Sequence, residues 1–147
     1  MRVEAKNALM AHLRADAGVT ALVPPAHITG RLRIWTKMDV RADFPAIVVV
    51  ATTSTLLGDW TSARAWELRF RVYVLAHGAA DGGAQDARDA ILDAVSASLA
   101  RVPALGSQNL GAPLLIRDTA IDGTVETDEG ATAEFGVAWI PVTVRLL

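Results

Sequence analysis

From residue 65 to residue 75 the sequence reads AWELRFRVYVL, and apolar and polar side chains alternate along it. A period of two puts Trp66, Leu68, Phe70, Val72 and Val74 on one side of an extended chain, and Glu67, Arg69, Arg71 and Tyr73 on the other. Such a strand is buried on one face and open to water or to a partner on the second. The strands of this chain are joined by short turns, which implies mainly antiparallel pairing. The other segments must supply the cover for its apolar side.

Two stretches carry the helical period. Residues 3–16 place Val3, Leu9, Met10, Leu13 and Ala17 in one stripe, with Lys6 inside it and able to extend outward. His12 falls on the polar side, Gly18 stops the helix, and VTALVPP makes a short second turn. Residues 84–102 place Ala87, Ile91, Val95, Leu99 and Val102 in a stripe opposite Asp86, Asp89, Asp93 and Ser96, and Pro103 ends that helix.

Further strands are expected in four places. RLRIW, residues 31–35, suits a short strand, with a polar loop after it. AIVVVA, residues 46–51, is a continuous β-branched run that suits burial on both faces. LLIRDTAIDGTVET reads as a strand that bends at Gly123, and DEG at 128–130 as a turn. The closing segment up to Leu147 reads as the last strand, placed by Pro141 at an edge or on a bulge. Residues 52–64 form either a hairpin connection or a surface loop. The expected fold is α+β: one domain over residues 1–147, with a mainly antiparallel sheet of about four to five strands and two amphipathic helices on one face.

The totals exclude several functions. A chain of 147 residues buries roughly 68–70% of its unfolded surface, enough to fold without a metal or disulfide. There are no cysteines, which removes thiolate catalysis and zinc–cysteine sites. The net charge is −2 and Lys6 and Lys37 are the only lysines, so the basic excess of a nucleic-acid binder is missing. The longest apolar run is far too short to cross a bilayer as a helix. Without a signal-peptide core in the first residues, cytoplasmic synthesis is expected.

GAADGG, between the alternating strand and the second helix, occupies the place where a nucleotide-binding protein cradles phosphate. Its glycines, Gly78, Gly82 and Gly83, lack the G-x-G-x-x-G spacing, and no Gly-Lys-Ser/Thr follows. Asp81, Asp86 and Asp89 would repel an anion, and they themselves complement the positive end of the helix. Asp86, Asp89 and Asp93 share a helix face without a fourth ligand, a poor cage for a cation. DGTVETDEG lacks calcium-loop spacing. His12, His27 and His77 stand in no paired motif, and there is no nucleophile elbow. We therefore expect no catalytic residues, no cofactor and no metal.

What remains is surface. Arg69, Arg71 and Tyr73 stand on the open strand face, and residues of these types are enriched at protein interfaces. Trp60 lies in a loop, where an aromatic either folds back or anchors a partner. Trp66 and Trp139 are assigned to the core. Glu126, Asp128 and Glu129 form an acidic turn, either a solvated hairpin tip or a contact loop. Together with Asp86 and Asp89 these are the acids available to meet the arginines of a neighbour.

In layout the chain resembles the tail terminator (tail completion) proteins of long-tailed bacteriophages. The resemblance rests on ALMAHLRADAGVTALVPPAHI, on FPAIVVV, on WELRFRVYVLAHG running into AQDARDAILDAVSASL, and on AEFGVAWIPVTVRL. It spans almost the whole chain and implies a small protein with a helix-backed sheet and no enzymatic activity. It further implies a homo-oligomeric ring, a hexamer on the tail, at the head-proximal end of the tail tube in the virion, assembled in the bacterial cytoplasm. Such a ring halts tube polymerisation; its partners are the major tail tube protein and the head–tail connector, with no membrane and no sequence-specific nucleic acid. The family passes on no catalytic residues. A long hairpin at 118–135 departs from the pattern, as a contact arm or an insertion. The competing readings are a head-completion or connector protein of the phage neck, a small enzyme with a scattered site, and a binding module. A ligand-free core has a simple consequence: adding EDTA leaves the melting temperature unchanged. A large fall on chelation would reject it.

Overall fold

A computed structural model describes residues 2–33, 37–57, 65–78, 83–100, 116–128 and 134–146. Along the chain come α1 (Arg2–Ala15), α2 (Ala17–Thr20), a 3-10 turn (Pro25–His27), β1 (Ile28–Thr29) and β2 (Ala46–Leu57). Then follow β3 (Ala65–His77), α3 (Gly83–Ala100), β4 (Ile116–Ile121), β5 (Glu126–Thr127) and β6 (Phe135–Leu146). The strands form one sheet in the order β1-β2-β3-β6-β4, with β5 also paired to β6. Only the β1–β2 pair is parallel. The architecture is the expected α+β. Its six strands exceed the four or five expected because β1 and β5 have two residues each, too few to leave a period in the sequence.

The alternating strand lies at the centre. β3 pairs with β6 from Trp66↔Leu146 to His77↔Phe135 without a shift. On its other side it pairs with β2, with one irregularity between Ala51 and Thr53. Leu68, Phe70, Val72, Val74 and Ala76 are buried, and join Ile47 and Val49 of β2 and Ala138, Ile140, Val142, Val144 and Leu146 of β6 in the main core. The helices close that core with Ala5, Leu9, Met10 and Leu13 from α1 and Ile91, Val95 and Leu99 from α3. Both helices therefore cover the same sheet face.

Half of the opposite face is covered as well. Ala46 and Val48 of β2, Leu75 of β3 and Val137 of β6 are buried against Met38 and Phe44. The expected burial of AIVVVA on both faces is met over residues 46–49 by these two clusters; Val50 is half-buried and Ala51 exposed. The segment carrying Met38 and Phe44 is held by interlocked turns: Asp39 Oδ1 accepts from the amides of Arg41 and Ala42, and Asp43 Oδ2 from that of Asp39. The amide of Asp39 and the guanidinium of Arg33, 3.0 Å away, hold the Asp43 carboxyl below its ordinary pKa.

Several expectations need correction. Val3 is 63% exposed, and Ala5 takes the stripe position that Val3 was given. α1 ends at Ala15, one residue short of the expected end, and the second turn starts earlier than expected, at Ala17, because Asp16 caps it through the amides of Gly18 and Val19. His12 is not on the solvent side: its Nε2 lies 3.2 Å from the carbonyl oxygen of Ser98 on α3. Residues 31–33 form no strand, and 34–35 lie outside the described residues. The first strand is instead Ile28–Thr29.

β6 has neighbours on both sides and pairs with β3 through Pro141 without a shift, so Pro141 is on neither an edge nor a bulge. Its carbonyl accepts the amide of Asp122 on the β4–β5 side, so the missing proline N–H also faces that side. There the edge strand breaks into β4 and β5, and Gly123 adopts φ +126° against the proline ring. The bend expected at Gly123 is thus where the sheet accommodates the absent donor.

Phe70 is 1% exposed at the centre of the core. Phe70→Ala is expected to cost about 3–5 kcal/mol in a denaturant titration. A loss below roughly 1 kcal/mol would place that side chain outside the packed layer.

Candidate assembly surface

Beyond the Met38–Phe44 cluster the second sheet face is uncovered among the described residues. Arg69 and Arg71 are exposed there, and Tyr73 and Trp139 are half-buried. Tyr73 and Trp139 are opposite one another in the β3–β6 register, with ring centroids 5.9 Å apart and planes at 45°. The Arg71 guanidinium lies 5.5 Å from the centroid of the Trp139 ring, within cation–π range. Trp139 is therefore on the open face and not in the core, because Ala138 and Ile140 on either side of it point inward. Trp66 packs partly against the core as expected. Trp60 and Glu129 lie outside the described residues.

The arginines differ in how they are held. The Glu67 carboxylate accepts from Nε and Nη2 of Arg69, both at 3.1 Å, and from Arg145 Nε at 3.3 Å. Arg69 thus has its counter-ion within the subunit. Arg71 has none among the described residues and rests on the indole instead. Beside them runs a groove of about 270 Å³ whose walls include Thr52, Arg69, Arg71, Asp122 and Thr143. It lies where β2 bulges on one flank and the edge strand breaks on the other.

The acids also divide. Glu126 is exposed on β5, and Asp86 and Asp93 are exposed on α3. Asp128 turns inward to Arg88, 2.5 Å away, and Asp89 binds the same guanidinium at 2.8 Å. Arg88 is buried, with its side chain 8% exposed. Burial works against its charge, but the hydrogen bonds and charges of Asp89 and Asp128 outweigh it and raise its pKa above the ordinary arginine value. This pair fastens α3 to the end of the β5 segment. Sequence reading missed Arg88, although it stands in the stripe Ala84, Arg88, Ile91, Val95 at helical spacing.

Gly78 and Gly136 serve packing. A Cβ on Gly78 would stand 2.5 Å from the amide nitrogen of Ala84, and one on Gly136 would stand 2.4 Å from the carbonyl oxygen of Ala84. The first turn of α3 is thus pressed onto the ends of β3 and β6, which only glycine allows. Asp86 stands in that turn. His27 Nδ1 lies 2.8 Å from the Pro45 carbonyl oxygen, and His77 packs edge-on to Phe135 at 5.2 Å. Among the described residues no three acidic or histidine side chains come together as a metal site.

A family model described as tail completion protein gp17 matches residues 7–132. The chain belongs to this family. Members of the tail completion family are structural proteins of phage tails, and that coarse role extends to this chain. Its fold is similar to that of a chain in a solved structure titled "Virion of native gene transfer agent (GTA) particle". The TM-score is 0.64 at 15% identity, over 97% of this chain and 92% of that one. No curated protein matches the sequence.

For a tail completion protein the fastening of α3 to β5 sets how firmly the edge of the subunit is held. Arg88→Ala removes the buried cation that the mostly buried Asp128 carboxylate faces, and is expected to cost about 3 kcal/mol in urea denaturation. A cost under roughly 1 kcal/mol would mean the pair is solvated and fastens nothing.

Proposed function

We propose that this protein caps the head-proximal end of a phage tail tube. There it forms a homo-oligomeric ring, hexameric on the tail, stops polymerisation of the tube and offers a surface to the head–tail connector. The match of the tail completion family model over residues 7–132 carries this reading. It acts through contact and not through catalysis. Its place is the virion, after assembly in the bacterial cytoplasm, and residues 1–147 act as one unit.

The physical support comes from the open sheet face. A chain that buries one sheet face under helices and leaves arginines and an aromatic pair on the other has a surface suited to a protein partner. Arg71, Tyr73 and Trp139 form its centre, and Arg69 extends it. The partners are the major tail tube protein, the connector and neighbouring subunits, with exposed acids such as Glu126 and Asp86 as complementary groups. Trp60 and Glu129 are kept as contact residues in the same proposal, whereas Asp128 is engaged by Arg88 within the subunit.

The test uses a phage lacking its own copy, complemented with the Arg69→Glu, Arg71→Glu double variant. Both sites are exposed, so the variant is expected to melt within a few degrees of the wild type. Tails of irregular length and a sharp loss of infectivity are expected. Normal tail length and infectivity from the folded variant would remove this face from the assembly surface.

A further inference from the structure

The two outer edges of the sheet are unlike one another. β2 reads AIVVVATTSTLL, twelve residues without a charge or a proline. Natural edge strands are normally blunted by charges, proline or short length, because bare backbone donors and acceptors recruit other strands. β1 covers only Ile47 and Val48. Among the described residues nothing pairs with the outer side of residues 49–57. The far edge is β4, six residues long, with no strand outside it among the described residues.

These edges lie at the same height. The pairing registers give the rows Ser54–Leu68–Val144–Thr119 and Thr53–Arg69–Thr143–Ala120 across the sheet. The uncovered part of β2 and the whole of β4 therefore occupy the same end of the subunit. The directions also fit. Antiparallel pairing alternates from β2 through β3 and β6 to β4, so β4 of one copy set beside β2 of the next continues the alternation.

Hydrogen-bond parity gives an independent check. The amides of Asp122 and Asp128 donate to Pro141 and Val137, so odd-numbered residues of β6 turn their backbone groups toward the β4–β5 side. Even-numbered ones face β3, as the bond from the Gly78 amide to the Glu134 carbonyl continues to show. Carried across the registers, Thr53 and Thr55 of β2 bond inward, and Ser54 and Leu56 present theirs outward. On β4, Ala120 bonds inward and Thr119 outward. With the rows level, Ser54 meets Thr119 as a hydrogen-bonded pair, and Thr53 meets Ala120 as a non-bonded pair whose side chains approach more closely. No shift is needed.

We infer that β2 of one subunit pairs antiparallel with β4 of a second copy of this chain, forming the seam between neighbours. The two edges are different surfaces, so the contact is head-to-tail, and it generates a ring if the rotation closes. The inference deepens the ring reading above by naming the seam. It leaves the face of Arg71 and Trp139 for the tube or the connector.

Because the chain has no cysteine, the seam is open to disulfide trapping in the purified full-length protein. Thr53 and Ala120 are both exposed. Oxidation of the Thr53→Cys, Ala120→Cys double variant at high concentration is expected to give a ladder of covalent trimers and larger species. Thr53→Cys alone and Ala120→Cys alone give none. Leu56→Pro removes an outward N–H that has no partner strand among the described residues. Added to the double variant, it is expected to cut the ladder at least roughly tenfold while the circular dichroism spectrum is kept. No ladder overturns the seam, and so does a dimer from Thr53→Cys alone, which would show β2 pairing with β2. A ladder that grows without a ceiling keeps the seam and refutes the closed ring.

Discussion

The pairing of β3 with β6 is the interaction on which the rest of the structure depends. It runs twelve residues on each strand in unbroken register, which fixes two alternating faces across the centre of the sheet at once. One misstep of a single residue would turn Phe70, Val72 and Val74 toward water. With the register set, the inward residues of both strands make a single apolar floor for α1 and α3, and the outward residues make the surface available to partners. Gly78 and Gly136 belong to the same constraint, since they let the first turn of α3 approach the ends of these two strands.

Much of this was legible because the signals are long. The alternation of β3, the β-branched run of β2 and the stripe of Ile91, Val95 and Leu99 each repeat often enough to specify a face. What stayed hidden was short or cooperative. β1 and β5 have two residues each and owe their existence to the neighbour they pair with. The second turn was legible, but its start at Ala17 was not, because it is set by the Asp16 cap. Trp139 reads as core from its size, yet the phase of β6 sends it outward. Arg88 reads as surface from its charge, yet its place in the stripe buries it and two aspartates compensate. Of the expected contact residues, Arg69, Arg71 and Tyr73 fall on one face as the period demands, whereas Glu67 claims Arg69 within the subunit.

This arrangement suits a structural tail protein. Among the described residues the polar contacts hold elements together, and that of Ser98 Oγ with His12 Nε2, at 3.1 Å, joins α1 to α3. Arg88 fastens α3 to the β5 segment, His12 meets Ser98 between the helices, and Asp39 and Asp43 fold the segment that carries Met38 and Phe44. A subunit held in this way presents one open sheet face and two sheet edges.

The central claim is that this chain closes the tail tube at its head-proximal end. Cryo-electron microscopy of tails assembled with the protein tests it most directly. The account predicts one ring of this chain on each tube, at the end that meets the head, with adjoining subunits sharing a continuous sheet. Density for the chain along the shaft of the tube, or its absence from tails of normal length, would contradict it.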